Sequence, residues 1–323
     1  MDYPRPLIFE PLELPHQQTF ILLHGRGSWA DKFGPELLQT AIQNSDQSSL
    51  NHHKDEPLFD KPAHTSQTQK PAVATLQTAF PHARFIFPTA ARRRATIYKR
   101  ARTRQWFDNW KLDPPATDRE ELQIDGLRET IEYLHQLLRT EIALVPGGAR
   151  NLVFGGLSQG CAASLIALLL WEGEDLGAFV GMCGWLPFAE RLMAEICGEE
   201  DGQNNDDGDL DFNPFTVDGD DEISDGKVTT AAGRAVGWLR DELDLPSLAL
   251  PSRVITASQA PIFLGHGVQD DKVSIALGRR ASECLSVCGA RVIWNEYDGL
   301  GHWYSSKMLK EMVHHLGNLF TPE

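Results

Sequence analysis

Asn151 to Trp171, NLVFGGLSQGCAASLIALLLW, is the stretch whose reading decides the fold. Its first part, Asn151 to Phe154, is a short run of Leu, Val and Phe and reads as a buried strand, while Gln159 to Trp171 reads as an apolar helix. Between them stands Gly156-Leu157-Ser158-Gln159-Gly160. Small residues on both sides of Ser158 let the backbone reverse sharply from strand to helix, so the hydroxyl is presented above a sheet edge at a helix N-terminus, as in a nucleophile elbow. The string alone is weak evidence, and the strand-turn-helix setting is what makes it specific.

On either side of this unit the same alternation continues. Thr19 to Leu23, Arg84 to Phe87, Ala178 to Met182, Pro261 to Gly265 and Arg291 to Trp294 are short, rich in Ile, Val, Phe and Leu, and read as further buried strands. Helical patterns fall at Asp118 to Thr140, Pro187 to Ile196, Val273 to Val287 and Tyr304 to Leu316. Alternation of this kind predicts an α/β fold, a mostly parallel central sheet with helices on both faces. Two stretches, at about 44–70 and 199–229, lose apolar periodicity and gain polar residues and glycine. They read as insertions in one domain spanning 1–323.

Composition narrows the class. The chain has 323 residues, 41% hydrophobic and 23% charged, as in an ordinary globular protein. No apolar run reaches the roughly 20 residues of a membrane span, and Met1 to Glu10 lacks the basic-then-apolar layout of a signal peptide, so a cytoplasmic location is expected. Five scattered cysteines form neither a disulfide framework nor a zinc site. The net charge of −15 is concentrated: Glu199 to Gly226 holds 12 acids and no base, which leaves about −3 for the rest. Between Arg84 and Arg104 eight bases meet no acid. Such a run can attract an anionic membrane surface in transient contact, but a solvated loop balancing the acidic tract is the preferred reading, and no nucleic-acid partner is expected. Asp207, Asp209, Asp211 and Asp218 imitate a calcium loop, but Phe212 occupies the position that needs glycine. No metal site is therefore assigned.

A serine hydroxyl is a poor nucleophile until a base takes its proton, and in this architecture base and acid follow the serine along the chain. Four of the 11 histidines lie beyond Ser158. His314 and His315 fall inside the last helix, and His266 ends a strand and should be buried. His302, in the loop Asp298-Gly299-Leu300-Gly301-His302, is the best-placed base. The acid that orients it should follow another strand, which leaves Asp270 and Asp271. For the oxyanion, the main chain of Gln159 supplies one N–H donor, and Arg26, in the glycine-containing loop His24-Gly25-Arg26-Gly27, supplies the second. This chemistry requires no metal or organic cofactor.

Four blocks together resemble the acyl-protein thioesterases and related carboxylesterases or lysophospholipases of the α/β-hydrolase fold. They are Leu23-His24-Gly25-Arg26-Gly27; Gln105-Trp106-Phe107-Asp108; the elbow with Gly184-Trp185-Leu186-Pro187 downstream; and His266-Gly267 with Asp270 and Val273, then Gly301-His302. The resemblance implies that Asp270 rather than Asp271 is the acid, that the positions of Arg26 and Gln159 form the oxyanion hole, and that an apolar acyl channel lies near Trp106. The chain departs from the family pattern at Arg26, where an apolar residue is usual, and at Ser28, usually aspartate, a variation associated with a fungal-like branch. Cys161 and Cys183 replace a common glycine and serine. The function so implied is hydrolysis of acyl thioesters or carboxylic esters through Ser158, His302 and Asp270, on an acylated protein, a lipid or a small ester. The alternatives are a broad carboxylesterase or lysophospholipase and, from another class, a non-catalytic binding module on the same fold.

Overall fold

The computed structural model describes residues 2–42, 74–198, 230–246 and 260–320. The two expected insertions, the acidic tract and the imitation calcium loop lie outside the described residues.

Among the described residues a seven-stranded sheet is built from β1 (Leu7–Phe9), β2 (Gln18–Leu23), β3 (Ala83–Phe87), β6 (Leu152–Leu157), β7 (Ala178–Met182), β8 (Ile262–Gly267) and β9 (Val292–Tyr297). Their order is β1-β3-β2-β6-β7-β8-β9. Only β1 runs antiparallel to its neighbour; every other pairing is parallel. Each expected strand is present, displaced by a few residues at most.

Alternation along the strands sends successive side chains to opposite faces. Ile21, Leu23, Phe154, Ile262 and Leu264 join one core, and Phe20, Leu22, Val153 and Phe263 the other. The first face is covered by α3 (Glu121–Ile142), α4 (Gln159–Leu169), α5 (Ala189–Cys197), α6 (Ala231–Glu242) and α7 (Ile275–Val287). The second is covered by α1 (Ala30–Gln39), α2 (Leu76–Ala79) and α8 (Ser306–Phe320). Every residue of α4 is buried, because it lies between the sheet and α3. That explains its lack of a polar face.

Two expectations are corrected. β9 is a half-exposed edge strand rather than a buried one, with Ile293 44% exposed. The basic run is not a solvated loop: it begins in β3 and continues as a hairpin of β4 (Arg92–Ala95) and β5 (Ala101–Arg104), joined through a 3-10 turn at Thr96–Tyr98. Arg93 is buried, its guanidinium 2.8 Å from Glu129 and donating to the Tyr3 hydroxyl at 3.0 Å. Arg92, Arg94, Lys99, Arg100 and Arg102 do face solvent.

The C-terminal ends of β2, β6, β7, β8 and β9 all open on the same sheet edge. His24, Ser158, Cys183, Asp270 and His302 follow them in the loops. In open parallel sheets this edge is where ligands bind.

Candidate active site

Ser158 occupies the turn between β6 and α4 with φ 57° and ψ −124°, a conformation that a residue bearing a side chain adopts only where its surroundings impose it. Its N–H donates to the Met182 carbonyl at 2.8 Å. The flanking glycines are required by close approach: a Cβ at Gly156 would stand 2.6 Å from the Leu23 carbonyl oxygen, and one at Gly160 would stand 2.5 Å from it.

The turn points the Ser158 hydroxyl at His302, whose Nε2 lies 2.8 Å from Oγ. His302 Nδ1 lies 2.7 Å from Asp270 Oδ2. Asp270 is itself tightly held. Its Oδ1 accepts the N–H groups of Lys272 and Val273, each at 2.9 Å, and Oδ2 lies 3.2 Å from His266 Nε2. Burial alone would raise the Asp270 pKa, but the bonds from His266, His302, Val273 and Lys272 outweigh it and hold the carboxyl well below its usual range. It is therefore an anion at neutral pH. Because that anion accepts, the proton between the two groups sits on His302 Nδ1, and Nε2 is left to accept from Ser158. Asp271 is exposed and pairs with Lys272 at 3.0 Å, so the structure brings Asp270 to the imidazole and not its neighbour. His266 is fully buried and shares its Nε2 between Asp270 and the Val273 carbonyl at 3.0 Å. Its place at the end of a strand was legible in the sequence; its hold on the carboxylate was not.

The loop after β2 passes so near Ser158 that a Cβ at Gly25 would stand 3.2 Å from the Ser158 Cβ. Among the described residues neither the Arg26 N–H nor the Gln159 N–H, the latter at the N-terminus of α4, has a hydrogen-bond partner. The loop is fixed by its histidine. His24 Nε2 accepts the Ala90 N–H at 3.0 Å, so Nδ1 carries the proton and donates to the Gly25 carbonyl at 2.7 Å. Burial pushes the His24 pKa down to about 4, so the ring is neutral.

Trp106 has a different place from the one expected. It is fully buried and does not line the cavity beside Ser158. Its indole N–H donates to the His24 carbonyl at 2.8 Å, and its backbone N–H donates to Gln159 Oε1 at 3.0 Å. The side chain thus braces the loop after β2. Gln159 completes the brace, donating to the Phe107 carbonyl at 2.8 Å and to Asn109 Oδ1 at 3.0 Å. Nothing in residue spacing announced this amide clamp between elbow and W-F-D block.

A cavity of about 380 Å³ opens over Ser158 and His302. Tyr98, Trp110, Trp185 and Trp303 supply its aromatic wall, and Arg26 also lines it. Asp108 holds one side of that wall, accepting the Thr96 N–H at 3.0 Å, the Thr96 hydroxyl, and the Gln105 amide at 3.4 Å. Cys183 donates to the Trp303 carbonyl at 3.2 Å, and burial raises its pKa to about 12. Donor atoms of Cys183, Asp270 and His302 lie within 4.8 Å of one another, a set that a soft cation accepts. Here each is already engaged: the thiol is protonated, and the carboxylate accepts four hydrogen bonds.

A phospholipase/carboxylesterase family profile matches residues 66–199 and 244–320. The carboxylesterase SOBER1 of Arabidopsis thaliana is 24% identical over 245 residues, 74% of this chain and 81% of that protein. Acyl-protein thioesterase 1 of Gibberella zeae is 25% identical over 244 residues, covering 74% of this chain and 78% of its own. Among solved structures, acyl-protein thioesterase 2 of Zea mays superposes with a TM-score of 0.59 at 20% identity, covering 98% of this chain and 99% of that one. At this identity the superposition speaks for the fold, and the profile match over most of the chain speaks for the family. The chain belongs to the phospholipase/carboxylesterase family, hydrolases of esters and thioesters on the α/β-hydrolase fold.

Proposed function

We propose that this protein is a serine hydrolase that cleaves acyl thioesters or carboxylic esters through an acyl-enzyme, with acylated protein as the leading substrate and lipid or small esters as the alternative. The observation that carries this reading is the hydrogen-bonded series Ser158 Oγ, His302, Asp270 beneath an open cavity. Ser158 Oγ attacks the carbonyl carbon while His302 Nε2 takes its proton, and Asp270 stabilises the imidazolium that forms. The oxyanion is met by the free N–H groups of Arg26 and Gln159. The intermediate collapses with cleavage of the C–S or C–O bond, and the leaving thiolate or alkoxide receives the proton from His302. Water then attacks the acyl-enzyme, His302 takes its proton, and the acid and Ser158 are released. The thioester preference leans on the name of the Gibberella zeae relative. The five cysteines, all free, suit work in a reducing cytoplasm. No helix among the described residues is long and apolar enough to cross a membrane.

A fluorophosphonate probe should label one peptide, the one containing Ser158. Ser158→Ala should abolish the label with the fold intact, and His302→Ala should nearly abolish it by removing the base. Matched thioesters and oxoesters of graded chain length then rank the substrates. Folded protein that takes no label and hydrolyses no short ester would defeat this reading in favour of a binding module.

A further inference from the structure

The Arg26 side chain has no part in the chemistry just described, which uses only its main chain. It lines the cavity with Ser158 and His302, and its guanidinium lies over the Tyr98 ring, 5.9 Å from the centroid. Its Nε is buried without a hydrogen-bond partner. Among the described residues no carboxylate oxygen lies within 4.0 Å of it. Asp108, the acid whose charge it feels, is committed to Thr96 and Gln105. The cavity's other exposed charges, Asp271 and Lys272, pair with each other. The guanidinium thus has Tyr98 beside it but no carboxylate paired with it in the cavity wall.

A partly buried charge with an unsatisfied N–H is costly unless a partner arrives. Guanidinium is a planar fork that takes carboxylate or phosphate through two parallel bonds. Its position is constrained as well, because the same residue offers its N–H to the reacting carbonyl oxygen. We propose that Arg26 is a specificity-determining residue that selects substrates carrying an anionic group, carboxylate or phosphate, a few bonds from the scissile carbonyl. This rests on the serine-hydrolase reading above and names the substrate class of that site. Tyr98, whose ring centroid lies 5.9 Å from the guanidinium, flanks the fork, and the aromatic side chains of the wall receive the neutral part of the substrate.

The test compares ratios of kcat/KM, in which a general change in catalytic power cancels. One arm sets the p-nitrophenyl monoester of glutaric acid against p-nitrophenyl valerate, placing the anion on the acyl side. The other sets butyryl glycerol phosphate against butyryl glycerol, placing a phosphate on the leaving side. The wild-type protein should favour the anionic member of at least one pair by about tenfold or more, and Arg26→Leu should remove most of that preference. Arg26→Lys, a charge without the fork, should retain part of it, and Lys272→Met should leave the ratio in place. On the unaltered protein, free glutarate or inorganic phosphate should compete with the neutral ester. Equal rates on both members of both pairs, a preference that survives Arg26→Leu, or no competition by either anion would overturn the proposal while leaving the hydrolase reading standing. Absence of all hydrolysis and of fluorophosphonate labelling would remove both.

Discussion

Asp270 sits among four donors, whereas Asp271 faces solvent beside Lys272. In Asp270→Asn the amide oxygen stays with the N–H groups of Lys272 and Val273 and the NH2, a donor, faces Nδ1, so the imidazole loses its working tautomer. Turnover should fall by about 10³ to 10⁴, as in other serine triads, with Asp271→Asn within a few fold. If Asp271→Asn proves the weaker enzyme, the assignment of the acid is wrong. Trp106 makes a separate prediction. Trp106→Phe keeps most of the ring but deprives the His24 carbonyl of its donor, an unmet buried acceptor that costs about 1–3 kcal/mol. With the loop after β2 loosened, kcat should drop about tenfold while KM stays within about twofold, the pattern of an interaction made only in the transition state. A raised KM with unchanged kcat would return Trp106 to the role of substrate contact. Ser158, His302 and the Asp270/Asp271 pair were legible because chain order and strand ends restrict the choice. The choice between the two acids came only from resemblance to a family, since adjacent residues share every placement argument.

At the scale of elements, legibility followed burial pattern. β2, β6, β7 and β8 are buried along most of their length and announce themselves as apolar runs. The β4–β5 hairpin does not, because its pleat buries Arg93 and Ala95 on one side and exposes Arg92 and Arg94 on the other, so arginine stands where an apolar signal was needed. Helix α1 was hidden for another reason. Gly34-Pro35 reads as a turn, yet the helix persists because Phe33, Leu37 and Leu38 bury their side chains in the second core. The hairpin matters for function because its 3-10 turn carries Ile97 and Tyr98 into the cavity wall, and Asp108 pins that turn through Thr96. Asp108→Ala should therefore free the wall while sparing Ser158 and His302. KM for a small ester should rise about tenfold, and fluorophosphonate labelling of Ser158 should persist, since the probe needs the nucleophile and base more than the wall. Loss of labelling in folded Asp108→Ala protein would mean that the hairpin supports the nucleophile itself.

Over the whole molecule, acid should act first through buried neutral histidines. The unfolded chain binds a proton at His24 near pH 6.5, but the folded ring refuses it until about 4. Stability is therefore full above pH 6.5 and falls as pH drops toward 4, by about 3 kcal/mol for His24 at the limit, after which that loss levels off. His135, also held down by burial, adds in the same direction. Glu120 and Glu141, raised by burial, act oppositely, with Arg191 and Arg84 offsetting part of their shift. Asp270 belongs to a lower window, because its depressed pKa supports stability that is lost only below the ordinary aspartate range. Urea unfolding at pH 7 and pH 4.5 should show the drop, and equal stability at both would contradict the neutral state of His24. The acidic tract supports a prediction of another kind. The chain leaves the described fold at Gly198 and re-enters it at Thr230, and these ends are tied together: Arg234 of α6 donates to the carbonyls of Glu195 and Ile196 at the end of α5, at 3.3 and 3.2 Å. A short linker can therefore join them at little entropic cost, since closure entropy grows only slowly with loop length. Residues 204–226 also lack the apolar pattern needed to contribute to either core. Replacing them with a few glycines and serines should keep hydrolysis of a small ester within about threefold and leave the unfolding midpoint nearly unchanged. A folded deletion protein without activity would show instead that the tract completes the site, and the hydrolase would then have to be described with it.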